Sequence, residues 1–225
     1  MASITIVIPV YNEQDVIQNV IDEISNHGEY NIIVVDDGSA DGTFKRACDC
    51  DVLAIRHKIN RGKGAAVKTG VMVANMLEAD VVVTMDGDGQ HDPTDIPSLV
   101  KPILQENCDV VLGSRMLNHE GMPFLKVVAN RIGNIITWLF YGILVSDSQS
   151  GYRAYSKFAA KIIDTKADKY EYDSKVIREI KNNRLCFTEV PVQVRYTEYS
   201  MGKKQKQGFV NGIVTLFRMI WNMLV

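Results

Sequence analysis

Charge imbalance is the first thing missing. Across 225 residues, 25 Lys and Arg stand against 27 Asp and Glu, a formal net charge of −2, so no basic excess marks nucleic acid as the main partner. Cysteine is scarce, with only Cys48, Cys50, Cys108 and Cys186. Their spacing matches no zinc pattern, and Cys48-x-Cys50 is tighter than a paired-ligand loop; buried thiols in a reducing compartment are expected instead. No window holds the roughly 18 uninterrupted apolar residues of a membrane-spanning helix. The amino terminus runs straight into an apolar strand without a signal-peptide pattern, so the cytoplasmic side is the expected location. Internal repeats and low-complexity tracts are absent too. What remains, 46% hydrophobic and 23% charged residues, suits a globular chain able to bury one core.

The apolar residues are ordered in short blocks. Residues 4–10 form a continuous apolar run, as in a strand buried on both faces. Val16, Ile17, Val20, Ile21 and Ile24 then recur at helical spacing. Residues 32–35, 52–56, 80–85 and 109–113 read as further strands. Residues 62–77 read as a helix opened by glycines, and 95–106 as a helix that tolerates Pro97 in its first turn. This alternation predicts an α/β fold with a mainly parallel central sheet flanked by helices. Beyond residue 115 the character changes. Residues 124–145 are apolar with only Lys126 and Arg131 charged, 149–153 are a turn entering a short strand, 171–181 a helix and 185–194 a strand. A polar, basic loop over 195–207 and an apolar segment over 209–225 follow. One domain over 1–205 and an apolar carboxyl-terminal helix over 206–225 are expected.

Ligands of parallel sheets bind outside the carboxyl ends of the strands, and the polar clusters fall there: Tyr11 to Glu13, Asp36 to Gly42, Asp86 to Gln90, and Gly113 to Arg115. In Asp86-Gly87-Asp88-Gly89-Gln90 the glycines let the backbone bend so that two carboxylates converge. Such a pair repels itself unless a cation or donor-rich ligand intervenes, which makes it a candidate divalent-metal site. Asp36 and Asp37 are placed to accept hydrogen bonds from a ribose or a base. Asn60 to Ala66 has the glycines, the lysine and the helix start of a phosphate loop but not the P-loop spacing, leaving Lys63 as a contact for a diphosphate. Arg115, Arg131, Arg153, Arg195, Lys203 and Lys204 are candidates for binding anionic groups. His91 is expected to support the metal residues rather than to ligate.

Taken in order, Ile8-Pro9-Val10-Tyr11-Asn12-Glu13, Val34-Val35-Asp36-Asp37-Gly38-Ser39-Ala40-Asp41-Gly42-Thr43 and Asn60-Arg61-Gly62-Lys63-Gly64-Ala65-Ala66 resemble motifs of glycosyltransferase family 2. So do Met85-Asp86-Gly87-Asp88-Gly89-Gln90-His91-Asp92-Pro93, Gly113-Ser114-Arg115 and Ser150-Gly151-Tyr152-Arg153. Within that family the pattern is most similar to the polyprenyl (dolichyl) phosphate sugar synthases. The resemblance implies a GT-A fold that binds a UDP- or GDP-linked sugar and Mg2+ or Mn2+. Pro9, Tyr11, Glu13, Val35 and Asp37 would hold the nucleoside, and Asp86, Asp88 and Gln90 the metal. Gly87, Lys63, Arg115, Arg195 and Lys203 would line the rest of the donor site. Asp88, Arg115 and Arg131 are the implied catalytic group, the two arginines facing a lipid phosphate. Those synthases tend to carry an arginine and then a Gly-x-Ser-Lys element after the last strand. Here Thr197 stands where that arginine is expected, leaving Arg195 as its substitute.

The implied reaction is an inverting transfer of a hexosyl or N-acetylhexosaminyl group to a polyprenyl phosphate. A dianionic phosphate needs no general base; a sugar hydroxyl would, and Asp173 or Glu171 would supply it. Extension of a lipid-linked or polysaccharide glycan is therefore the alternative. A sugar nucleotidyltransferase would show a Gly-rich, basic loop after the first strand, where Pro9 to Glu13 stand instead. A non-catalytic binding domain has no use for Asp86, Asp88 and Gln90 together. Ile135, Ile136, Leu139, Phe140 and Ile143 share a helical face beside Trp138 and Tyr141, and Phe209, Ile213, Leu216, Phe217, Ile220, Trp221 and Leu224 form a second stripe. Both suit helices lying peripherally in a membrane surface or in a homo-oligomer interface.

Overall fold

The structure is a computed structural model that describes residues 2–118, 124–168 and 171–195. Lys203, Lys204, Thr197 and the stripe within 206–225 lie outside the described residues.

The first half is built of parallel strands joined by helices: β1 (Ile4–Val10), α1 (Ile17–His27), β2 (Asn31–Asp36), α2 (Thr43–Cys48), β3 (Leu53–Arg56), α3 (Lys63–Met76), β4 (Val81–Thr84), α4 (Ile96–Leu104) and β5 (Val110–Ser114). α5 (Phe124–Tyr141), β6 (Arg153–Ser156), α6 (Lys157–Ile162), α7 (Tyr172–Asn182) and β7 (Phe187–Pro191) complete it. Among the described residues, seven strands form one sheet in the order β3-β2-β1-β4-β6-β5-β7. The mainly parallel sheet is as expected; α2 and α6, six residues each, were not legible in the apolar pattern.

Strand alternation sorts the core into two layers. Ile6, Ile8, Val81 and Val83 face α1 and α4, while Val7, Val35 and Val82 face α3 and the carboxyl-terminal helices. Each buried aliphatic side chain contributes about 1.5–3 kcal/mol relative to exposure. α3 sits especially close to the sheet because its inner face carries Gly64, Ala65, Ala66, Gly70 and Ala74. A Cβ at Gly70 would collide with the Val7 side chain, so any larger residue there would push α3 off the sheet.

β6 is the exception that builds the site. It runs antiparallel to both β4 and β5, pairing Arg153 with Thr84 and with Leu112. An antiparallel strand brings its beginning to the edge where its parallel neighbours end. Ser150, Gly151 and Tyr152 therefore arrive beside the carboxyl ends of β4 and β5, which sequence alternation alone could not specify.

α5 ends at Gly142, whose positive φ of 62° suits a helix-terminating glycine, and Lys181 of α7 donates to the Tyr141 carbonyl at 2.7 Å. Among the described residues no helix is long and apolar enough to cross a membrane. The four cysteines are free, as expected, but Cys48 and Cys186 are exposed and only Cys108 is buried. The expectation of buried thiols fails because these positions lie at element ends rather than within the layers.

Candidate active site

The loops after β1 and β2 are stitched together before any ligand is considered. Asn12 and Glu13 donate their backbone N–H groups to Ser39 Oγ and Thr43 Oγ1 at 2.9 and 2.8 Å. Gly42 N–H returns a bond to Gln14 Oε1. Pro9 and Val35 sit opposite each other in the β1–β2 ladder. Val35 is wholly buried with its side chain toward α3, so it presents no side chain to the strand-end cleft.

Asp37 is buried and committed to its own chain. Its carboxylate accepts from the N–H groups of Arg61 and Gly62 at 3.0 and 2.7 Å and meets His57 Nδ1 at 2.8 Å. Ala65 N–H donates to the Asp168 carbonyl at 3.1 Å. The backbone donors at the start of α3 are thus partly spent on protein acceptors, and the phosphate-loop likeness reduces to the side chain of Lys63. His57 was missed in the sequence because its tie to Asp37 crosses from β2 to the end of β3.

That side chain reaches the acidic loop. Lys63 Nζ lies 2.8 Å from Asp86 Oδ1 and 3.3 Å from Asp173 Oδ2. Burial works against its charge, but Asp173 and Asp86 outweigh it and hold the ammonium well above its usual range. Burial likewise opposes ionisation of Asp86, yet Lys63 wins and holds that carboxyl down to about 2. Asp88 behaves oppositely: burial, reinforced by the charge of Asp86, pushes it up. Glu13 adds to that repulsion, so the acidic field draws in the β1 loop as well. Asp88 accepts from Gln90 N–H at 3.1 Å and from Gln90 Nε2 at 3.0 Å.

The turn has its own scaffold. Gly89 adopts φ 76°, a conformation that favours glycine, and Gly87 packs where a Cβ would strike Val10. His91 is buried, stacked on Tyr152 at 4.6 Å between ring centroids. Its Nδ1 accepts the Asp86 N–H at 3.2 Å, and burial pushes its pKa down. Bonded this way, the ring supports the backbone of the acidic loop.

Arg115, at the end of β5, is gripped by Asp147: Nε to Oδ2 at 2.6 Å, Nη2 to Oδ1 at 2.8 Å, and its own N–H to Oδ2 at 3.1 Å. Asn130 of α5 donates to the same carboxylate at 2.9 Å. Burial would raise Asp147, but these bonds prevail and hold it below the usual carboxylate range. Arg115 also lowers Asp86 electrostatically, which ties it to the same field. Asp147 was not foreseen; it lies 32 positions from its partner.

The other three expected arginines are placed differently. Arg153 is buried on β6, donates to the Ser148 carbonyl at 3.0 Å and lies within charge range of Asp173 and Lys63. Arg195 extends to Asp92 at 3.0 Å and Glu23 at 2.6 Å, while its N–H donates to the Gln90 carbonyl at 2.8 Å. It anchors the chain after β7 to the acidic loop. Arg131 is exposed on α5, one residue beyond Asn130.

α5 itself is inverted. Its buried stripe is Val127, Asn130, Asn134 and Thr137, whereas Ile132, Ile135, Trp138 and Leu139 are 52, 54, 48 and 66% exposed. Asn134 accepts from Ser148 N–H and Oγ at 2.9 Å, and Glu189 of β7 accepts from Ser146 N–H at 2.8 Å.

Three comparisons bear on this arrangement. The family model for Glycosyl transferase family 2 matches residues 5–185. The chain is 40% identical over 222 residues to the UDP-N-acetylglucosamine–dolichyl-phosphate N-acetylglucosaminyltransferase of Methanococcus voltae, covering 89% of this chain and 88% of that one. It is 28% identical over 217 residues to the polyprenol monophosphomannose synthase of Mycolicibacterium smegmatis, covering 90% and 80%. Among solved structures, glucosyl-3-phosphoglycerate synthase of Mycobacterium tuberculosis, crystallised with Mn2+, UDP and phosphoglyceric acid, matches with a TM-score of 0.69. At 20% identity, over 95% of this chain and 78% of that one, it shares the fold.

Proposed function

The chain belongs to glycosyl transferase family 2 and has its GT-A-like fold; from that premise we propose that it moves a hexosyl or N-acetylhexosaminyl group from a nucleotide-diphospho-sugar to a polyprenyl phosphate. The observation that carries this reading is the convergence of Asp86, Asp88, Lys63 and Arg115 at one sheet edge. The printed activities of the two sugar–lipid relatives support the acceptor class, and the more similar of them makes UDP-N-acetylglucosamine the first donor to test.

A divalent cation, Mg2+ or Mn2+, fits this site on the site's own terms. Two carboxylates are coupled, Asp88 pushed up by burial and then by the charge of Asp86, and an ammonium already stands in for a cation against Asp86. Asp86, Asp88 and Gln90 Oε1 would hold the ion, an all-oxygen set that suits a hard cation. Among the described residues no cluster of three or more His, Cys, Asp or Glu is placed to hold a metal, so this reading needs the donor diphosphate as a further ligand. Bound there, the ion supplies Lewis-acid stabilisation of the leaving diphosphate.

The chain's residues do the rest. Tyr11, Glu13 and the Asp37-organised loop form the nucleoside end. Arg115, oriented by Asp147, holds the acceptor phosphate, whose second pKa of about 6 leaves it mostly dianionic at neutral pH. A phosphate oxygen forms a bond to the anomeric carbon on the face opposite the nucleoside diphosphate. The old carbon–oxygen bond breaks, its electron pair leaves with the diphosphate, and the anomeric configuration inverts. No proton need move. Asp173, the carboxylate expected as base for a hydroxyl acceptor, is held by Lys63, which favours phosphate over glycan as acceptor. Lys203 remains the expected contact for the donor diphosphate.

The exposed apolar face of α5, with Trp138 and Arg131 on it, supports a peripheral seat on the membrane that holds the lipid acceptor. Free thiols, two of them exposed, support the cytoplasmic, reducing side. Purified protein with Mn2+, polyprenyl phosphate and radiolabelled UDP- and GDP-sugars tests the proposal. Label from one donor, UDP-N-acetylglucosamine first, is expected in the lipid phase. Label appearing only in a soluble glycan overturns the acceptor assignment.

A further inference from the structure

Lys63 Nζ lies 2.8 Å from Asp86 Oδ1, so an ammonium already neutralises the carboxylate that a divalent cation at this site would use. An ammonium and a divalent cation held on one carboxylate repel each other at such a distance. The backbone beneath Lys63 is fixed by Asp37 on Arg61 and Gly62 and by Asp168 on Ala65, so only the side chain can yield. A second berth is ready: Asp173 Oδ2 lies 3.3 Å from the same Nζ.

The slot itself is shaped for an ammonium. Gly151, delivered by the antiparallel β6, forms its wall, and a Cβ there would stand 2.5 Å from Lys63 Nζ and 3.1 Å from Asp86 Oδ1. Lysine suits the task better than arginine, since it is a compact charge on a flexible stem with no planar fork to hold it in one place.

We propose that Lys63 is a built-in occupant of the cation position, which releases Asp86 toward Asp173 and the donor diphosphate only when metal and nucleotide arrive together. Metal alone must evict the ammonium without compensation, whereas the diphosphate brings negative charge for the displaced ammonium as well as ligands for the metal. Binding of the two is therefore cooperative beyond direct ligation, and by linkage each strengthens the other equally. The inference rests on the metal reading of the site given above.

Free Mn2+ measured by electron paramagnetic resonance, over the full chain with and without UDP or GDP, tests both at once. Lys63→Met is expected to tighten nucleotide-free Mn2+ binding about tenfold and to shrink the factor by which nucleotide improves it. Lys63→Gln, which keeps a polar group in the slot, should change binding in the same direction. Arg61→Gln removes a charge two residues away, where Arg61 pairs with Asp168 at 3.8 Å, and should shift Mn2+ binding by less than about twofold. Lys63 variants that bind no tighter than wild type, or an Arg61→Gln variant that tightens as much, overturn the interlock. Wild type that takes no Mn2+ even with UDP or GDP overturns the metal reading itself.

Discussion

In the first half of the chain α1 and α4 bury Ile17, Val20, Ile21, Ile24, Ile96, Leu99, Val100 and Ile103 against the sheet, whereas α5 buries asparagine and threonine and turns isoleucine, tryptophan and leucine outward. The loops of the first half also close on themselves, Asn12 to Ser39 and Asp37 to Gly62. Those of the second half reach back across the sheet, Asp147 to Arg115 and Arg195 to Asp92. The difference separates two kinds of surface. The first half presents a charged edge built by its own loops. The second exposes an apolar helix face and ties that helix to the edge through Asn130, Asp147 and Arg115.

The sharpest way to break the donor half is Asp88→Asn. It keeps shape and removes the charge that the cation needs, so transfer into the lipid phase should fall by about three orders of magnitude, with the thermal midpoint nearly unchanged. Near-normal transfer would remove Asp88 from the metal site. The link between halves is tested by Asp147→Asn. Releasing Arg115 should lower kcat/KM for the lipid phosphate about 30–100-fold while donor binding holds; equal losses for donor and acceptor would make Asp147 a general structural residue. The same variant has a pH signature. Asp147 ionises below the usual carboxylate range in the fold, so its contribution is present above the unfolded value near 4 and is lost as pH falls through the folded one. Wild type should exceed Asp147→Asn by about 1–3 kcal/mol at neutral pH, and denaturant titrations at falling pH should show the gap closing.

Much of the donor half was legible because each of its strands is a continuous apolar run ended by a polar cluster, and parallel topology puts all such ends on one edge. The reversal of β6 was not, since a four-residue strand carries no sign of its direction, and with it went the meeting of Gly151 with Lys63. Arg153 looked like an anion binder because its burial depends on that same strand. The ties of Asp37 to His57 and of Arg115 to Asp147 depend on strand register and loop path, which local spacing does not encode. On α5 the apolar stripe through Ile135 and Leu139 was visible, but periodicity tells only that faces differ, never which one turns inward. The asparagines at 130 and 134 gained meaning once Asp147 and Ser148 stood opposite them.

The smallest expected effect addresses that inverted face. Ile135→Ser with Leu139→Ser removes two side chains that are 54 and 66% exposed and touches neither Asn130 nor Asn134. On a water-facing helix such changes would be neutral or slightly favourable to solubility. On a face seated in lipid headgroups each lost side chain forfeits about 1 kcal/mol of burial, roughly 30-fold together in partition to anionic vesicles. Vesicle co-sedimentation should therefore fall by that factor with the melting temperature unchanged, and transfer to detergent-dispersed acceptor should survive. If vesicle binding holds and sedimentation velocity instead shows a dimer falling apart, a second copy of the chain covers this face, and the contrast between the halves becomes one between a binding edge and an assembly surface.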